Sequence, residues 1–122
     1  MEVGKCFLLM IFIITREDKM IYIKKIQEYF SCDEVFVTAH AAERFKQRGI
    51  SIKDIRHAVN SGEIIEQYPE DYPYPSCLIL GKNLLGDYIH VVMSDEGTVS
   101  RIITAYFPDV DKWNENFKIR KD

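Results

Sequence analysis

Apolar residues recur at two different spacings along this chain, and the change between them separates a helical first half from a strand-forming second half. Ile23, Ile26 and Phe30 recur three or four residues apart, which is the spacing of one helix face. This pattern predicts a helix over about residues 20–31.

Two more helices are predicted from the residues that begin and end them. Thr38 is a favourable N-cap for a helix that Gly49 ends in a left-handed conformation. Ser51 and Asp54 have the spacing of a capping box, with aspartate in place of the usual glutamate or glutamine. Gly62 is expected to end the helix that this box begins.

The second half is rich in β-branched and aromatic residues between turn residues, which is typical of strands. The predicted strands cover residues 64–68, 77–80, 88–93 and 99–107. The segment 33–37 is a short connector or a further strand, and Val110, Trp113 and Phe117 predict a short C-terminal helix. Helices followed by an antiparallel meander predict an α+β fold, with N-terminal helices packed on an antiparallel sheet of about four strands.

The first residues differ from the rest of the chain. Residues 6–14 form a nine-residue apolar run, which is too short to span a bilayer as a helix. Charged residues follow where a signal peptide would have small cleavage-site residues. We interpret residues 1–19 as an apolar leader or an extra strand, with Met20 as a candidate start, and residues 20–122 as a single globular domain.

Charge is distributed unevenly along the chain. The net charge of −3 argues against indiscriminate binding to nucleic acid, yet residues 40–60 carry +3 and residues 61–97 carry −6. This distribution fits either a small basic patch or two ordinary solvated faces. The three cysteines have no metal-binding spacing, so no metal is expected. No cofactor is expected either, and a reducing, cytoplasmic location is favoured.

Candidate chemistry begins with His40, Arg44 and Arg48, which lie four residues apart. In a helix their side chains would emerge along one face, one turn after another. Imidazole titrates near neutral pH, and a planar guanidinium can bind two phosphate oxygens at once, so this stripe is typical of a phosphate-handling surface. The structural alternative is a solvated helix face whose arginines pair with Glu43 and with the acidic middle segment.

A second group of polar residues is predicted in the hairpin formed by the last two strands. A three-residue hairpin loop would pair His90 with Ile102, with Arg101 on the opposite sheet face. The face that carries His90 would then hold four polar side chains, namely His90, Ser100, Thr104 and Tyr106. A slip of one residue would instead pair His90 with Arg101. His90 could equally be a half-buried structural histidine.

Together these residues suggest cleavage of RNA without a metal ion. The reaction needs a base for the 2′-hydroxyl, an acid for the leaving oxygen and cations for the charged phosphate. In this hypothesis His40 and His90 share the proton transfers, Arg44 and Arg48 bind phosphate, and Tyr106 positions the substrate. The competing hypothesis is a non-catalytic domain that binds a partner protein through the segment YPEDYPYPS.

The order of the motifs also resembles a known family. H-x₃-R-x₃-RGIS-x₂-D is followed by GEIIEQYPEDYPYPSCLILG, by HVV and by IITAYFPD-x₃-W. From about residue 20 to residue 121 this order is similar to the bacterial and archaeal family called domain of unknown function 4258. The resemblance implies a compact fold similar to RelE-type toxins and related small ribonucleases, with RNA as substrate and an antitoxin as partner.

The resemblance also implies which positions carry function. The family's polar positions fall on six residues of this chain, namely His40, Arg44, Arg48, His90, Thr104 and Tyr106. Thr104 thereby joins the expected phosphate-binding residues. Toxins of the RelE type are usually basic, whereas this chain is acidic, which argues against wide contact with ribosomal RNA.

Overall fold

The computed structural model describes residues 19–121, and the apolar run at residues 6–14 lies outside them. The described residues form an α+β fold of three helices and five strands. The helices are α1 (Ile23–Ser31), α2 (Ala39–Gln47) and α3 (Ile52–Ser61). The strands are β1 (Val35–Phe36), β2 (Glu63–Tyr68), β3 (Ser76–Lys82), β4 (Tyr88–Ser94) and β5 (Ser100–Tyr106). No helix within residues 19–121 is long and apolar enough to cross a bilayer.

The predicted caps are present at the helix ends. The Thr38 hydroxyl accepts a hydrogen bond from the backbone N–H of Ala41 at 3.1 Å, which begins α2. Ser51 and Asp54 form a reciprocal capping box at the start of α3. Gly49 follows α2 with a φ of 81°, the left-handed conformation that ends the helix. The helices therefore lie where the cap residues predicted them.

The sheet has one strand more than expected and is mixed. Its strand order is β1-β5-β4-β3-β2, and β1 pairs with β5 in parallel while the other pairs are antiparallel. The expectation of an antiparallel sheet of about four strands is therefore too simple. The added strand is part of segment 33–37, and its two residues are too few to show an alternating pattern.

The expected C-terminal helix is absent from the described residues. Residues 108–121 run as consecutive turns with one isolated bridge between Trp113 and Arg120. The side chains of Asp109 and Asn114 accept hydrogen bonds from backbone N–H groups two residues later. Such local side-chain bonds compete with helix formation, so the apolar spacing in this segment does not produce a helix.

The helices cover one face of the sheet. Ile26, Ile55 and Val59 from α1 and α3 are buried together with Ile79 and Val91 from the central strands. The closest approach is between α3 and β3, where a methyl group on Gly81 would lie 2.1 Å from the carbonyl oxygen of Ala58. Glycine is therefore required at this contact, because any side chain would push the helix away from the sheet.

One buried ion pair joins the helix layer to the hairpin between β4 and β5. Lys25 Nζ lies 2.8 Å from Oδ2 of Asp95, and both side chains are less than a tenth exposed. The Tyr29 hydroxyl donates to Oδ1 of Asp95 at 2.7 Å. The same oxygen accepts from the backbone N–H of Gly97 at 3.1 Å. Asp95 therefore fixes the hairpin loop to α1.

Candidate functional site

A β-bulge in β5 decides which side chains face away from the helices. Val92 pairs with Thr104 while the next residue of β4, Met93, pairs with Ile102, so Ile103 is the extra residue. Ile102 and Ala105 both belong to the core beneath the helices. The two residues between them, Ile103 and Thr104, therefore lie together on the other face of the sheet. We call this face the open face.

The hairpin also differs from the predicted register, because five residues rather than three separate β4 from β5 and the bulge shifts the pairing further. His90 pairs with Tyr106, so the expected pairings with Ile102 and with Arg101 are both wrong. His90, Thr104 and Tyr106 share the open face, as the alternation predicted. Across the bulge the alternation is reversed, so the expectation for the two residues near the hairpin loop is wrong: Arg101 shares this face and Ser100 does not.

His90 is completely buried on the open face, beneath the C-terminal segment. Its ring packs edge-on against Trp113 at 4.4 Å and against Tyr106 at 5.4 Å between centroids. Nε2 lies 2.9 Å from the carbonyl oxygen of Phe117 and donates a hydrogen bond to it, because a carbonyl only accepts. Nδ1 is buried and has no hydrogen-bond partner among the described residues.

Burial lowers the pKa of His90 below its usual value, although the bond to the Phe117 carbonyl acts in the opposite direction. The folded protein therefore holds this imidazole neutral, while in the unfolded chain it takes up a proton near about pH 6.5. As the pH falls, the unfolded state therefore binds more protons than the folded state. We expect the contribution of His90 to the free energy of unfolding to be fully present above about pH 7 and to decline as the pH falls toward about 5.5.

Urea unfolding of the wild type and of His90→Phe measures this effect, since phenylalanine keeps a ring in the packed position. The free energy of unfolding of the wild type should fall more between about pH 7.5 and about pH 5.5 than that of the variant. An equal fall in both proteins would assign the pH dependence to other groups.

Arg48 is held at the edge of the open face. Its guanidinium Nη1 donates to the carbonyl oxygen of Ala105 at 2.9 Å and to the hydroxyl of Thr104 at 3.2 Å. This edge is accessible because β1 pairs with β5 only at Ser100 and Arg101. Arg48 thus satisfies an edge carbonyl and places its charge beside Thr104. The structure therefore brings two of the predicted phosphate-binding residues together.

His40 and Arg44 lie on the same helix as Arg48 but make no such contacts. Both side chains are exposed, and neither makes a hydrogen bond, ion pair or ring contact with another described residue. Glu43 accepts a hydrogen bond from Gln47 at 3.4 Å. The structural alternative is therefore present in part: this helix face is solvated, but within residues 19–121 neither Arg44 nor Arg48 pairs with an acidic side chain.

The two histidines are not brought into contact. His40 lies in the first turn of α2, about 12 Å along the helix axis from Arg48, the residue that reaches the open face. His90 is covered by Trp113 and Phe117. The predicted residues therefore form two groups, an exposed basic stripe on α2 and a packed cluster on the sheet, which meet at the contact between Arg48 and Thr104.

Sequence reasoning did not identify a second charged cluster on the open face. Arg120 donates hydrogen bonds to both oxygens of the Glu66 carboxylate, the shortest at 3.0 and 3.1 Å, and Tyr68 donates another at 2.5 Å. Burial opposes the charged form, but the bonds from Arg120 and Tyr68 hold the pKa of Glu66 below its usual value. Arg120 also stacks on Trp113 at 4.7 Å, so the cluster anchors the C-terminal segment. No local motif links residues this far apart in sequence.

Within residues 19–121, no group of three or more potential metal-ligating side chains is placed where it could hold a metal ion. The model of a family described as a domain of unknown function, DUF4258, matches residues 37–107, more than half of the chain. The match includes all six predicted site residues but neither α1 nor the segment that covers His90. Neither the curated proteins nor the solved structures gave a match.

Proposed function

Because the chain belongs to the DUF4258 family, whose description assigns no activity, its function has to be inferred from the site, and we propose that it is a small endoribonuclease. In this proposal the protein cleaves RNA with its own histidine and arginine side chains. The placement among RelE-type toxin folds, a cytoplasmic location and an antitoxin as protein partner are parts of the same proposal.

The observation that supports the proposal best is the unpaired basic stripe on α2. His40 and Arg44 are exposed and have no partner among the described residues, and Arg48 makes no ion pair there. Exposed arginines commonly pair with carboxylates, and this chain carries an excess of them. A surface that keeps its cations free despite that excess is suited to bind an external anion. The phosphates of RNA are such anions.

Each residue of the stripe can be given a role in phosphate chemistry. Arg44 binds a phosphate oxygen with an unoccupied guanidinium, and Arg48 directs its remaining N–H groups to the same phosphate. The Thr104 hydroxyl, fixed by Arg48, donates to a phosphate oxygen. His40 takes the proton from the attacking 2′-hydroxyl and then gives it to the leaving 5′-oxygen, because an imidazole can act both as a base and as an acid, which a guanidinium cannot.

His90 is better suited to position Tyr106 than to transfer protons. Its ring is buried, and its Nε2 proton is already donated to Phe117. Tyr106 packs against this ring. Burial raises the pKa of Tyr106 above its usual value, which keeps the phenol as a neutral hydrogen-bond donor. His90 therefore acts through Tyr106, and Tyr106 holds the substrate.

The proposal is tested by cleavage of labelled single-stranded RNA in excess chelator. We expect the wild type to cleave, and Arg44→Ala to lose at least about tenfold in rate, since a hydrogen bond to a charged group contributes about 1.5–3 kcal/mol. Arg56→Ala, which removes an exposed arginine from the neighbouring helix α3, is the matched control and should retain activity. Absence of cleavage by the wild type, or equal losses in both variants, would count against the proposal.

The alternative is a non-catalytic interaction domain. It is favoured by Tyr72, whose side chain is 94% exposed in the proline-rich loop between β2 and β3. Large exposed aromatic side chains are enriched at protein interfaces. This alternative predicts no RNA cleavage and a protein partner that is lost when Tyr72 is replaced.

A further inference from the structure

A cavity on the open face lies between the proline-rich loop and β5. It has a volume of about 250 Å³, and its lining includes Tyr72, Tyr74, Glu96, Arg101 and Ile103. We propose that this cavity binds a single unstacked nucleobase of an RNA substrate, and that it prefers bases that carry an amino group. The inference rests on the proposed function, because it names a subsite for the same substrate.

The walls of the cavity suit a flat aromatic ligand. Tyr72 is almost fully exposed and Tyr74 is partly exposed, although both are large aromatic side chains. Arg101 lies over the ring of Phe36, with 4.2 Å between its guanidinium carbon and the ring centroid. Unstacked bases of single-stranded RNA stack on aromatic rings and on guanidinium planes. The cavity therefore offers surfaces on which an unstacked base can stack in place of its neighbouring bases.

The lining of the cavity also offers hydrogen-bond acceptors. Glu96 Oε2 accepts from the Ser94 hydroxyl at 3.0 Å and from Arg101 Nε at 2.9 Å, while Oε1 has no partner among the described residues. The Glu96 side chain is only 10% exposed. The Asp71 carboxylate also has one bonded and one free oxygen: Oδ2 accepts from the Ser76 hydroxyl, and Oδ1 has no partner in the described part of the chain.

An ionised carboxylate accepts hydrogen bonds and cannot donate them. Two free carboxylate oxygens in the lining therefore select a base with an exocyclic amino group. Guanine, adenine and cytosine carry one. Uracil carries none, and its N3–H lies between two carbonyl oxygens that the carboxylates would repel. The expected order places uracil last.

The cavity is placed correctly for a nucleotide whose phosphate lies on the basic stripe. Ile103 lines the cavity, and the next residue, Thr104, contacts Arg48. The bulge puts both residues on the open face, about one strand residue, or 3.3 Å, apart. Because the carboxylates of Glu96 and Asp71 repel phosphate, the base enters the cavity while the backbone remains near Arg48.

The test compares binding of two uncleavable 2′-O-methyl hexanucleotides, oligo-C and oligo-U, by fluorescence anisotropy. The two bases differ at two adjacent positions: cytosine has an amino group and a bare ring nitrogen where uracil has a carbonyl oxygen and an N–H. We expect the wild type to bind oligo-C at least about fivefold more tightly, the lower limit for one specific base contact. Equal affinity, or no binding of either oligonucleotide, would overturn the inference.

Two variants distinguish stacking by the aromatic side chains from hydrogen bonding by the carboxylates. Tyr72→Ala should weaken binding of both oligonucleotides at least about fivefold through lost stacking, whereas Leu85→Ala, which truncates another exposed side chain outside the cavity, should not. Glu96→Gln should reduce the preference for oligo-C, because an amide can also donate to uracil. Unchanged RNA binding by Tyr72→Ala would contradict the inference and favour a protein partner for this loop.

The outcome is separable from that of the proposed function. RNA cleavage with no difference between cytosine and uracil would reject the base subsite alone. Base-selective binding without any cleavage would retain the subsite and reject the nuclease.

Discussion

His40→Ala is expected to lower the rate of RNA cleavage by about 10²–10⁴-fold, the usual contribution of a positioned acid–base group. The free energy of unfolding should stay unchanged, because the His40 side chain is exposed and makes no hydrogen bond, ion pair or ring contact with another described residue. Single-turnover cleavage of labelled RNA and urea unfolding of the same preparation measure the two quantities together.

His57→Ala is the matched control, since it removes another exposed imidazole. His57 lies on α3, and its Nδ1 is 2.8 Å from the carbonyl oxygen of Lys82, so its loss should cost some stability and no activity. The opposite pattern, with activity lost in His57→Ala and kept in His40→Ala, would remove His40 from the mechanism. Equal activity in all three proteins would place the acid–base chemistry elsewhere or exclude it.

The helices and most strands could be predicted because their determinants are local. Thr38 and Gly49 mark the two ends of α2 without reference to the rest of the chain. The bulge at Ile103 has no such mark. It arises because Ile102 and Ala105 must both enter the core, and this requirement depends on their partners in β4. The predicted hairpin register is therefore wrong for two reasons: the loop between β4 and β5 is longer than three residues, and the bulge shifts the pairing further.

The candidate site was predictable only where it lies on one element. The four-residue spacing of His40, Arg44 and Arg48 identified the basic stripe on α2. The contact between Arg48 and Thr104 joins residues 56 positions apart, and it depends on β1 being too short to cover β5. The burial of His90 depends on a segment that sequence periodicity assigned to a helix.

Asp95→Asn is expected to lower the free energy of unfolding by about 3–5 kcal/mol, the usual cost of breaking a buried ion pair by removing one partner. The Lys25 ammonium would remain buried without its counter-charge, and the Tyr29 hydroxyl would lose its charged acceptor. Burial is the largest cause that raises the pKa of Tyr29 above its usual value, and it would still oppose ionisation of the phenol in the variant. Urea unfolding at neutral pH measures the loss.

Lys118→Ala is the control, because it breaks the ion pair with Glu63, whose side chains are about half exposed. Such surface pairs contribute about 0–1 kcal/mol, so the two losses should differ severalfold. Lys25→Met in the Asp95→Asn background should recover part of the stability, because it removes the buried ammonium that has lost its counter-charge. A loss in Asp95→Asn no larger than in Lys118→Ala would show that the hairpin loop is not held by this pair. Glu96 follows Asp95 in that loop. If the Asp95→Asn protein keeps its stability, the loop keeps its position, and the cavity should also keep its base preference.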